Sequence, residues 1–400
     1  MTIRTLSISR SMPQMIPVVV AGGNLNGLGV VRSLARQHIP TYLMAMTRGC
    51  PAAWSRHATF VRAPRLQGEE FVDALVRLAT QLQCRPVLML TQDSSVLTVS
   101  AHRQTLERFY HIDLPDGPIV EALSDKLSFD ALAARENFPV PRSCAVRSRD
   151  DLGQIDQMLP PVILKPADKG RVLSGAAERA VRADTLERAR EIATEMLAHV
   201  PALIVQEWIE GPDSEIYFTF FCVGRAGQST GLFSGRKLQS SPPAVGSTAI
   251  CIPAPELAET LERMTLQFLQ RVPYRGLGSL EFKRDVRTGR LLMVEPTVGR
   301  TDWQEEIATL CGVNLPAIAY WRALDHDPPR SQLPVAAHRY AWRAERQFRL
   351  SADVRADMRL VDGYFRWSDP LPGLYHYGYE RGVRRVVRRI RKVVFRASKH

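Results

Sequence analysis

The feature that most constrains this chain is a predicted β-hairpin that carries two glutamates. Residues 278–283 and 291–295 are strand-like, and a turn signal lies near Thr288 between them. If the pairing is centred on Thr288, Glu281 and Glu295 lie opposite each other. Directly opposed strand residues have Cβ atoms about 4.5–5.5 Å apart, and like charges placed there repel. The hairpin therefore predicts a cation between this carboxylate pair, unless the register is shifted and both side chains are solvated surface charges.

The positive charge of the chain lies at its two ends. The 400 residues have a net charge of +12, of which residues 1–68 contribute +8 through arginines alone and residues 381–400 contribute +9. The body between these two segments therefore carries a charge of −5. Specific nucleic-acid recognition is not expected, because no nucleic-acid-reading fold accompanies the basic C-terminal tail.

The cysteine pattern and the hydropathy predict a cytoplasmic protein. The six cysteines are scattered without a Cys-x-x-Cys pair, which argues against a zinc site or a disulfide framework and for a reducing compartment. No apolar run approaches the ~20 residues that a membrane-spanning helix needs. The short apolar run at residues 16–21 leads directly into a glycine-rich turn, so it predicts a buried strand rather than the core of a signal peptide.

Strand and helix patterns divide the chain into four regions. Residues 1–118 begin with a strand–helix–strand unit and predict a small open α/β domain. Residues 119–330 follow, and their first helix has Ser124 as its predicted N-cap. Residues 331–380 form an aromatic-rich appendage without a usable periodicity.

The last region, residues 381–400, has valines and one isoleucine at helical i, i+3, i+4 spacing among arginines and lysines. This pattern predicts a basic amphipathic helix that makes peripheral contact with an anionic membrane surface. The alternative is a disordered tail that binds nucleic acid without specificity.

Residues able to bind a nucleotide and a metal occur in a fixed order along residues 119–325. Lys126 starts a helix, and Lys165 ends a buried strand, where an unpaired ammonium is costly. The other members are, in order, Gln206, Glu207, Trp208, Ile209, Asp213, Glu281, Glu295, Thr297 and Arg300. This ordered set resembles the ATP-grasp superfamily of ATP-dependent carboxylate–amine ligases. Within the superfamily, the chain looks most like the D-aspartate ligase and carbamoyl-phosphate-synthase-like branch.

The resemblance implies a fold class and a reaction. The implied fold is mixed α/β and α+β, with an N-terminal open α/β (preATP-grasp) domain before a two-subdomain ATP-grasp fold. In the implied reaction, ATP phosphorylates a carboxylate, and an amine attacks the acyl phosphate to form an amide or peptide-like bond with release of ADP and phosphate. The implied cofactors are ATP and one or two Mg²⁺ ions, with Mn²⁺ as a substitute, and the partners are small-molecule carboxylate and amine substrates.

The resemblance also assigns roles around the nucleotide. Lys126 and Lys165 would bind phosphate oxygens, because phosphoryl transfer needs positioning and charge neutralisation. Residues 206–209 would read adenine through the carbonyl of residue 207 and the amide of residue 209, with apolar side chains walling the base. Asp213 would bind the ribose, with Glu215 as the alternative. On their own, residues 206–215 also fit an ordinary strand end followed by a charged turn, and each lysine also fits a solvated surface residue.

The carboxylate pair matches the magnesium-binding residues of the superfamily. Thr297 stands where many members carry asparagine; its hydroxyl can still bind Mg²⁺, so it is the third candidate metal ligand, but the change puts a second metal in question. Ser279 stands where D-alanine ligases carry arginine. The missing positive charge at the acyl phosphate would come from Arg300, or otherwise from Arg236 and Lys237. The last two residues fit a surface role equally well.

Two loops are candidate covers for the site. Residues 167–175 would be a mobile flap over the phosphates, and residues 239–247 would be a second lid near the substrate. Both loops are also compatible with plain connectors.

Two other functions compete with the ligase. The glycine-rich loop at residues 22–29 suggests an NADP-dependent oxidoreductase, but the glycine spacing differs from the dinucleotide fingerprint and no acidic residue occurs before Glu69. Arg48 would be the partner for a 2′-phosphate in that function. The second alternative is a non-catalytic ATP-binding scaffold at the membrane surface, which Thr297 and the basic tail suggest.

Overall fold

The structure is a computed structural model that describes residues 15–167, 180–224, 227–329, 339–380 and 382. The predicted flap from residue 168 onward and the predicted basic amphipathic helix lie outside the described residues.

The first sheet has four parallel strands in the order β3-β2-β1-β4. Its strands are β1 (Val18–Ala21), β2 (Thr41–Ala45), β3 (Thr59–Arg62) and β4 (Val87–Leu90). Its helices are α1 (Leu25–Ala35), α2 (Glu69–Leu82), α3 (Asp93–Ala101) and α4 (Arg103–Leu106), with a 3₁₀ turn at Pro51–Trp54. Every residue of the central strand β1 and of the edge strand β4 is buried, as expected for a parallel sheet that is covered on both faces.

Close packing accounts for the glycines after β1. Gly22 has φ +120°, and a Cβ atom at this position would lie 2.1 Å from Thr91 Oγ1. A Cβ atom at Gly27 would lie 1.9 Å from the carbonyl oxygen of Gly22. The tight turn between β1 and α1 therefore requires these glycines for steric reasons, and a bound dinucleotide is not needed to explain them.

Two helices connect the first sheet to the next. They are α5 (Gly117–Ser124) and α6 (Lys126–Arg135). The prediction that Ser124 caps α6 was wrong, because Ser124 ends α5 and the Asp125 side chain accepts the Ser128 N–H at 2.8 Å. This N-cap places Lys126 at the first position of α6.

The second sheet has four antiparallel strands in the order β5-β8-β6-β7. Its strands are β5 (Ser143–Val146), β6 (Val162–Pro166), β7 (Val181–Ala183) and β8 (Leu203–Glu207). A 3₁₀ segment (Arg149–Gln157) and α7 (Leu186–Leu197) pack with this sheet around a separate apolar core.

The third sheet has seven strands in the order β13-β12-β9-β10-β11-β14-β15. Its strands are β9 (Ile216–Val223), β10 (Ser229–Ser241), β11 (Ser247–Pro253), β12 (Gly276–Arg284), β13 (Leu291–Val298), β14 (Tyr340–Arg343) and β15 (Arg359–Asp362). The remaining helices are α8 (Ala258–Arg271), α9 (Glu306–Leu310), α10 (Leu315–Ala323), α11 (Ala352–Asp357) and α12 (Leu371–Leu374), with a 3₁₀ turn at Asp213–Glu215 and a π-helical segment at Tyr375–Glu380. Pairing of β14 with β11 extends this sheet with residues close to the C-terminus.

The register of the β12–β13 hairpin confirms the predicted pairing of Glu281 with Glu295. A register shift lies between Glu281 and Phe282, so that Phe282 pairs with Met293. The prediction that the strand pairing is centred on Thr288 is therefore correct at Glu281 and Glu295. It is wrong for the residues between the glutamates and the turn.

All six cysteines lie within the described residues and are free thiols. None of the helices in the described ranges is both long and apolar enough to cross a membrane.

A buried ion pair joins the C-terminal segment to α1. Arg32 Nε donates to Asp369 Oδ2 at 3.0 Å, and both side chains are almost fully buried. The same carboxylate accepts from Ser55 Oγ at 2.9 Å and from the Arg56 N–H at 3.0 Å. Removing one member of such a pair leaves an uncompensated buried charge.

We expect Asp369→Ala to lower the free energy of unfolding by about 3–5 kcal/mol, because the buried Arg32 would lose its hydrogen-bonded carboxylate and would keep only Glu306, 3.7 Å away, as a carboxylate partner. Urea unfolding measures this change. The control is Asp184→Ala, which breaks the exposed Arg182–Asp184 pair and should cost less than about 1 kcal/mol. Equal losses in the two variants would contradict the role given to Asp369.

Candidate functional site

A cleft of about 390 Å³ lies between α5, α6, the second sheet and the β12–β13 hairpin. Its polar lining comprises Ser124, Lys126, Asp130, Lys165, Gln206 and Glu295. Four of the residues predicted from the sequence therefore share one cavity, although they come from α6, β6, β8 and β13. Asp130 was not predicted as a site residue, and burial raises the pKa of its carboxyl group.

The two lysines concentrate positive charge on one wall of the cleft. Lys126 Nζ donates to the Pro166 carbonyl at 3.3 Å, and Lys165 Nζ donates to Gln206 Oε1 at 3.2 Å. Burial, with the nearby Lys126 charge, lowers the pKa of Lys165 from 10.5 to about 8. An anion bound beside both ammonium groups would offset this cost, so the wall is suited to phosphate. The N-terminus of α6 adds positive potential next to Lys126.

The carboxylate pair faces a third lysine. Lys237 Nζ lies 2.5 Å from Glu281 Oε2, and the lysine side chain is 6% exposed whereas the glutamate is 31% exposed. Since β9 lies between β10 and β12, the Lys237 side chain reaches across one strand to neutralise Glu281. The ammonium thus supplies one positive charge to the opposed carboxylates.

The carboxylate pair fits a divalent cation. Two carboxylates in directly opposed strand positions offer oxygen ligands of the kind that Mg²⁺ prefers, and the contact of Lys237 with Glu281 shows that this position attracts a cation. Within the described part of the chain, no group of three or more His, Cys, Asp or Glu side chains could hold a metal. A bound Mg²⁺ would therefore complete its shell with water and phosphate oxygens.

The predicted adenine hinge directly follows β8. Trp208 and Ile209 are buried, and the Trp208 N–H donates to the Pro161 carbonyl at 3.1 Å. Within the described residues, the Ile209 N–H is hydrogen-bonded to no backbone or side-chain acceptor. The Trp208 ring lies 4.8 Å from the Arg182 guanidinium carbon and 4.7 Å from Lys283 Nζ. The hinge therefore presents a donor beside a buried indole that is flanked by cations.

The two predicted ribose carboxylates already have partners. Asp213 accepts the Ser240 N–H at 2.8 Å and the Ala244 N–H at 2.9 Å, and so holds the predicted lid at residues 239–247. Glu215 is buried and accepts from Arg284 Nε at 2.6 Å. Neither carboxylate lines the cleft that holds the two lysines.

The arginines predicted near the acyl phosphate are also held by ion pairs. Arg236 lies 3.7 Å from Glu215 and 3.6 Å from Glu256. Arg300 Nε donates to Asp93 Oδ1 at 2.7 Å, and its Nη1 donates to Asp302 Oδ1 at 3.2 Å. Arg300 therefore links the end of β13 to the first turn of α3.

Sequence reasoning missed the carboxylate that organises this end of the site. Asp302 accepts from Ser279 Oγ at 2.8 Å and from Thr297 Oγ1 at 3.2 Å, in addition to Arg300. Thr297 therefore directs its hydroxyl to Asp302. The sequence signal for Asp302 was an acidic residue seven positions after Glu295. Without the fold, this spacing is too weak to predict a functional residue.

The lowered pKa of Lys165 predicts a pH-dependent stability difference. Between pH 8 and 10.5 the folded chain has lost the Lys165 proton and the unfolded chain has kept it, so this group's contribution to stability rises with pH across that window. We expect Lys165→Met to be more stable than the parent chain at pH 7, with the difference shrinking towards pH 10.5. Urea unfolding at both pH values measures it, with exposed Arg188→Met as the control. A difference that does not change with pH would contradict the prediction.

No protein-family model matches the chain. D-aspartate ligase from Enterococcus faecium (strain Aus0004) is 24% identical over 319 residues, which cover 76% of this chain and 75% of the relative. N5-carboxyaminoimidazole synthetase from Staphylococcus aureus matches with a TM-score of 0.61 and 14% identity, covering 79% of each chain.

The biotin carboxylase domain of 2-oxoglutarate carboxylase from Hydrogenobacter thermophilus, solved with MgADP and bicarbonate, matches with a TM-score of 0.60 and 15% identity over 80% of this chain and 72% of the other. The structural matches show a shared fold, and the sequence match also covers a large part of the chain. These similarities identify the chain as a homologue of D-aspartate ligase that shares the fold of the synthetase and of the biotin carboxylase domain.

Proposed function

We propose that the chain is an ATP-dependent ligase that joins a carboxylate to an amine through an acyl phosphate and releases ADP and phosphate. The observation that carries the proposal is the convergence of Lys126, Lys165 and Glu295 on one cleft, with Glu281 directly opposite Glu295. Cations on one wall and acceptors for a cation on the other suit Mg-ATP, whose phosphates need both. The homology to D-aspartate ligase supports the same reaction class.

The lysines would bind and orient the phosphates. Lys126 approaches from α6 and Lys165 from β6, so the transferred group would be held from two separate elements. Both ammonium groups would then stabilise the negative charge on the phosphate oxygens, which is the main catalytic requirement of phosphoryl transfer. The Ile209 N–H and the buried Trp208 would position the adenine, so that the γ-phosphate lies at the carboxylate pair.

Glu281 and Glu295 would hold Mg²⁺. When bound, the ion would supply charge neutralisation between phosphate oxygens. Lys237 would then be released from Glu281 and become available to a phosphate oxygen or to the acyl phosphate. Mn²⁺ would substitute, because it accepts the same oxygen ligands.

The substrates and the domain roles are also proposals. Because D-aspartate ligase is a relative of this chain, an acidic D-amino acid is the first carboxylate to test. We propose that residues 1–118 serve as the preATP-grasp domain and residues 119–330 as the ATP-grasp domain. The Arg300–Asp93 contact joins these two regions beside the site.

We expect Glu295→Gln to lower the kcat for substrate-dependent phosphate release by at least about 100-fold, because losing a carboxylate that binds the metal directly removes charge neutralisation in the transition state. The assay mixes the pure protein with Mg-ATP and pools of amino acids and carboxylates, then follows ADP and phosphate. Glu281→Gln should behave alike, and the exposed helix variant Glu191→Gln is the matched control. Activity that survives in Glu295→Gln would contradict the assignment of the metal ligands.

The acyl phosphate has an isotopic signature. The substrate is D-aspartate, or whichever carboxylate the pools identify, labelled with ¹⁸O in its carboxylate groups. One ¹⁸O should appear in the released phosphate, because amine attack breaks the carbon–oxygen bond of the acyl phosphate and leaves the labelled oxygen on phosphorus. Unlabelled phosphate would exclude this intermediate. ATP binding without phosphate release from any pool would instead favour the non-catalytic scaffold.

A further inference from the structure

The Asp302 carboxylate collects three side-chain donors from separate positions. Its Oδ2 accepts Ser279 Oγ at 2.8 Å, and its Oδ1 accepts Thr297 Oγ1 and Arg300 Nη1, each at 3.2 Å. The donors come from β12, from β13 and from the segment after β13. One carboxylate therefore fixes the orientation of three side chains at the end of the hairpin.

These donors lie directly beside the carboxylate pair. Ser279 pairs with Thr297 across β12 and β13, two residues along from the pairing of Glu281 with Glu295. Residues two apart on a strand point to the same face of the sheet, so both pairs share one face. Asp302 thus braces the pair of side chains that adjoins the candidate metal ligands.

The main chain of Asp302 is anchored independently of its side chain. The buried Asn26 donates from Nδ2 to the Asp302 carbonyl at 2.6 Å and to Thr301 Oγ1 at 3.1 Å. The Asp302 side chain itself remains 27% exposed. A substitution of this side chain therefore leaves the backbone anchor in place and changes only what the carboxylate holds.

We infer that Asp302 is a positioning residue, which orients Thr297 and Arg300 towards the metal and phosphate side of the cleft. This inference rests on the proposed function. The hydrogen bond between Asp302 and Thr297 fixes the rotamer of the hydroxyl next to Glu295. Groups that orient metal ligands in this way commonly change metal affinity or activity by about 10- to 100-fold when they are replaced.

The test uses the full chain with Asp302→Asn, which keeps the size of the side chain but removes its charge and one acceptor. Calorimetry with a non-hydrolysable ATP analogue gives the Mg²⁺ concentration that half-saturates nucleotide binding. We expect this concentration to rise about 10-fold or more, while analogue binding without Mg²⁺ and the urea unfolding midpoint stay close to those of the parent. Asp184→Asn, at an exposed position, is the control.

The activity arm separates positioning from a general structural role. Asp302→Asn should lower kcat about 10- to 100-fold with little change in the KM for ATP. Thr297→Ala should lower kcat too, and the double variant should be no worse than Asp302→Asn alone, because both act through one hydrogen bond. The inference would be overturned if the kcat losses of the two single variants multiplied in the double variant. An unchanged Mg²⁺ dependence in Asp302→Asn would also overturn it.

The two arms also distinguish this inference from the proposed function. If the parent chain releases no phosphate from any pool, the ligase proposal fails, and the Mg²⁺ dependence of analogue binding still decides the role of Asp302. If Asp302→Asn does not fold, Ser279→Ala and Thr297→Ala each remove one bond to the same carboxylate. A raised Mg²⁺ requirement in Ser279→Ala would then support the inference, and an unchanged one would overturn it.

Discussion

The opposition of Glu281 and Glu295 is the constraint on which the rest of the site depends. Two carboxylates in directly paired strand positions repel, so the surrounding chain must bring positive charge to them. Lys237 supplies part of that charge through its contact with Glu281. Lys126 and Lys165 line the same cleft as Glu295, so cations and a carboxylate meet there. Mg-ATP offers partners to both at once.

Local sequence patterns predicted much of this arrangement, but they did not predict the contacts between residues that are far apart in the chain. The pairing of the glutamates follows from a short hairpin, so it could be predicted although a register shift at Phe282 changed the half next to the turn. The N-cap of α6 was mispredicted as Ser124, because α5 continues to that residue and the Asp125 side chain takes the capping role. The sequence could predict which secondary-structure elements carry the lysines. It could not predict that they line the same cavity, because this depends on the three-dimensional fold.

Asp302 shows why the remaining residues could not be found from sequence patterns. It is joined to Asn26, which lies 276 positions earlier in the chain, and no periodicity connects two residues so far apart. Arg300 is similarly paired with Asp93 across 207 positions. Both contacts bind the hairpin end to the first sheet. The candidate cleft is therefore supported by packing between regions, whereas its candidate ligands are provided by local motifs.

The central claim is that the carboxylate pair holds the metal of a bound nucleotide. A crystal of the full chain grown with Mn²⁺ and a non-hydrolysable ATP analogue tests it most directly, since manganese is located by its anomalous signal. The account predicts a peak within ligand distance of Glu281 and Glu295, with phosphates reaching Lys126 and Lys165 and with Lys237 moved away from Glu281. Manganese at another position, or a nucleotide outside this cleft, would contradict the account.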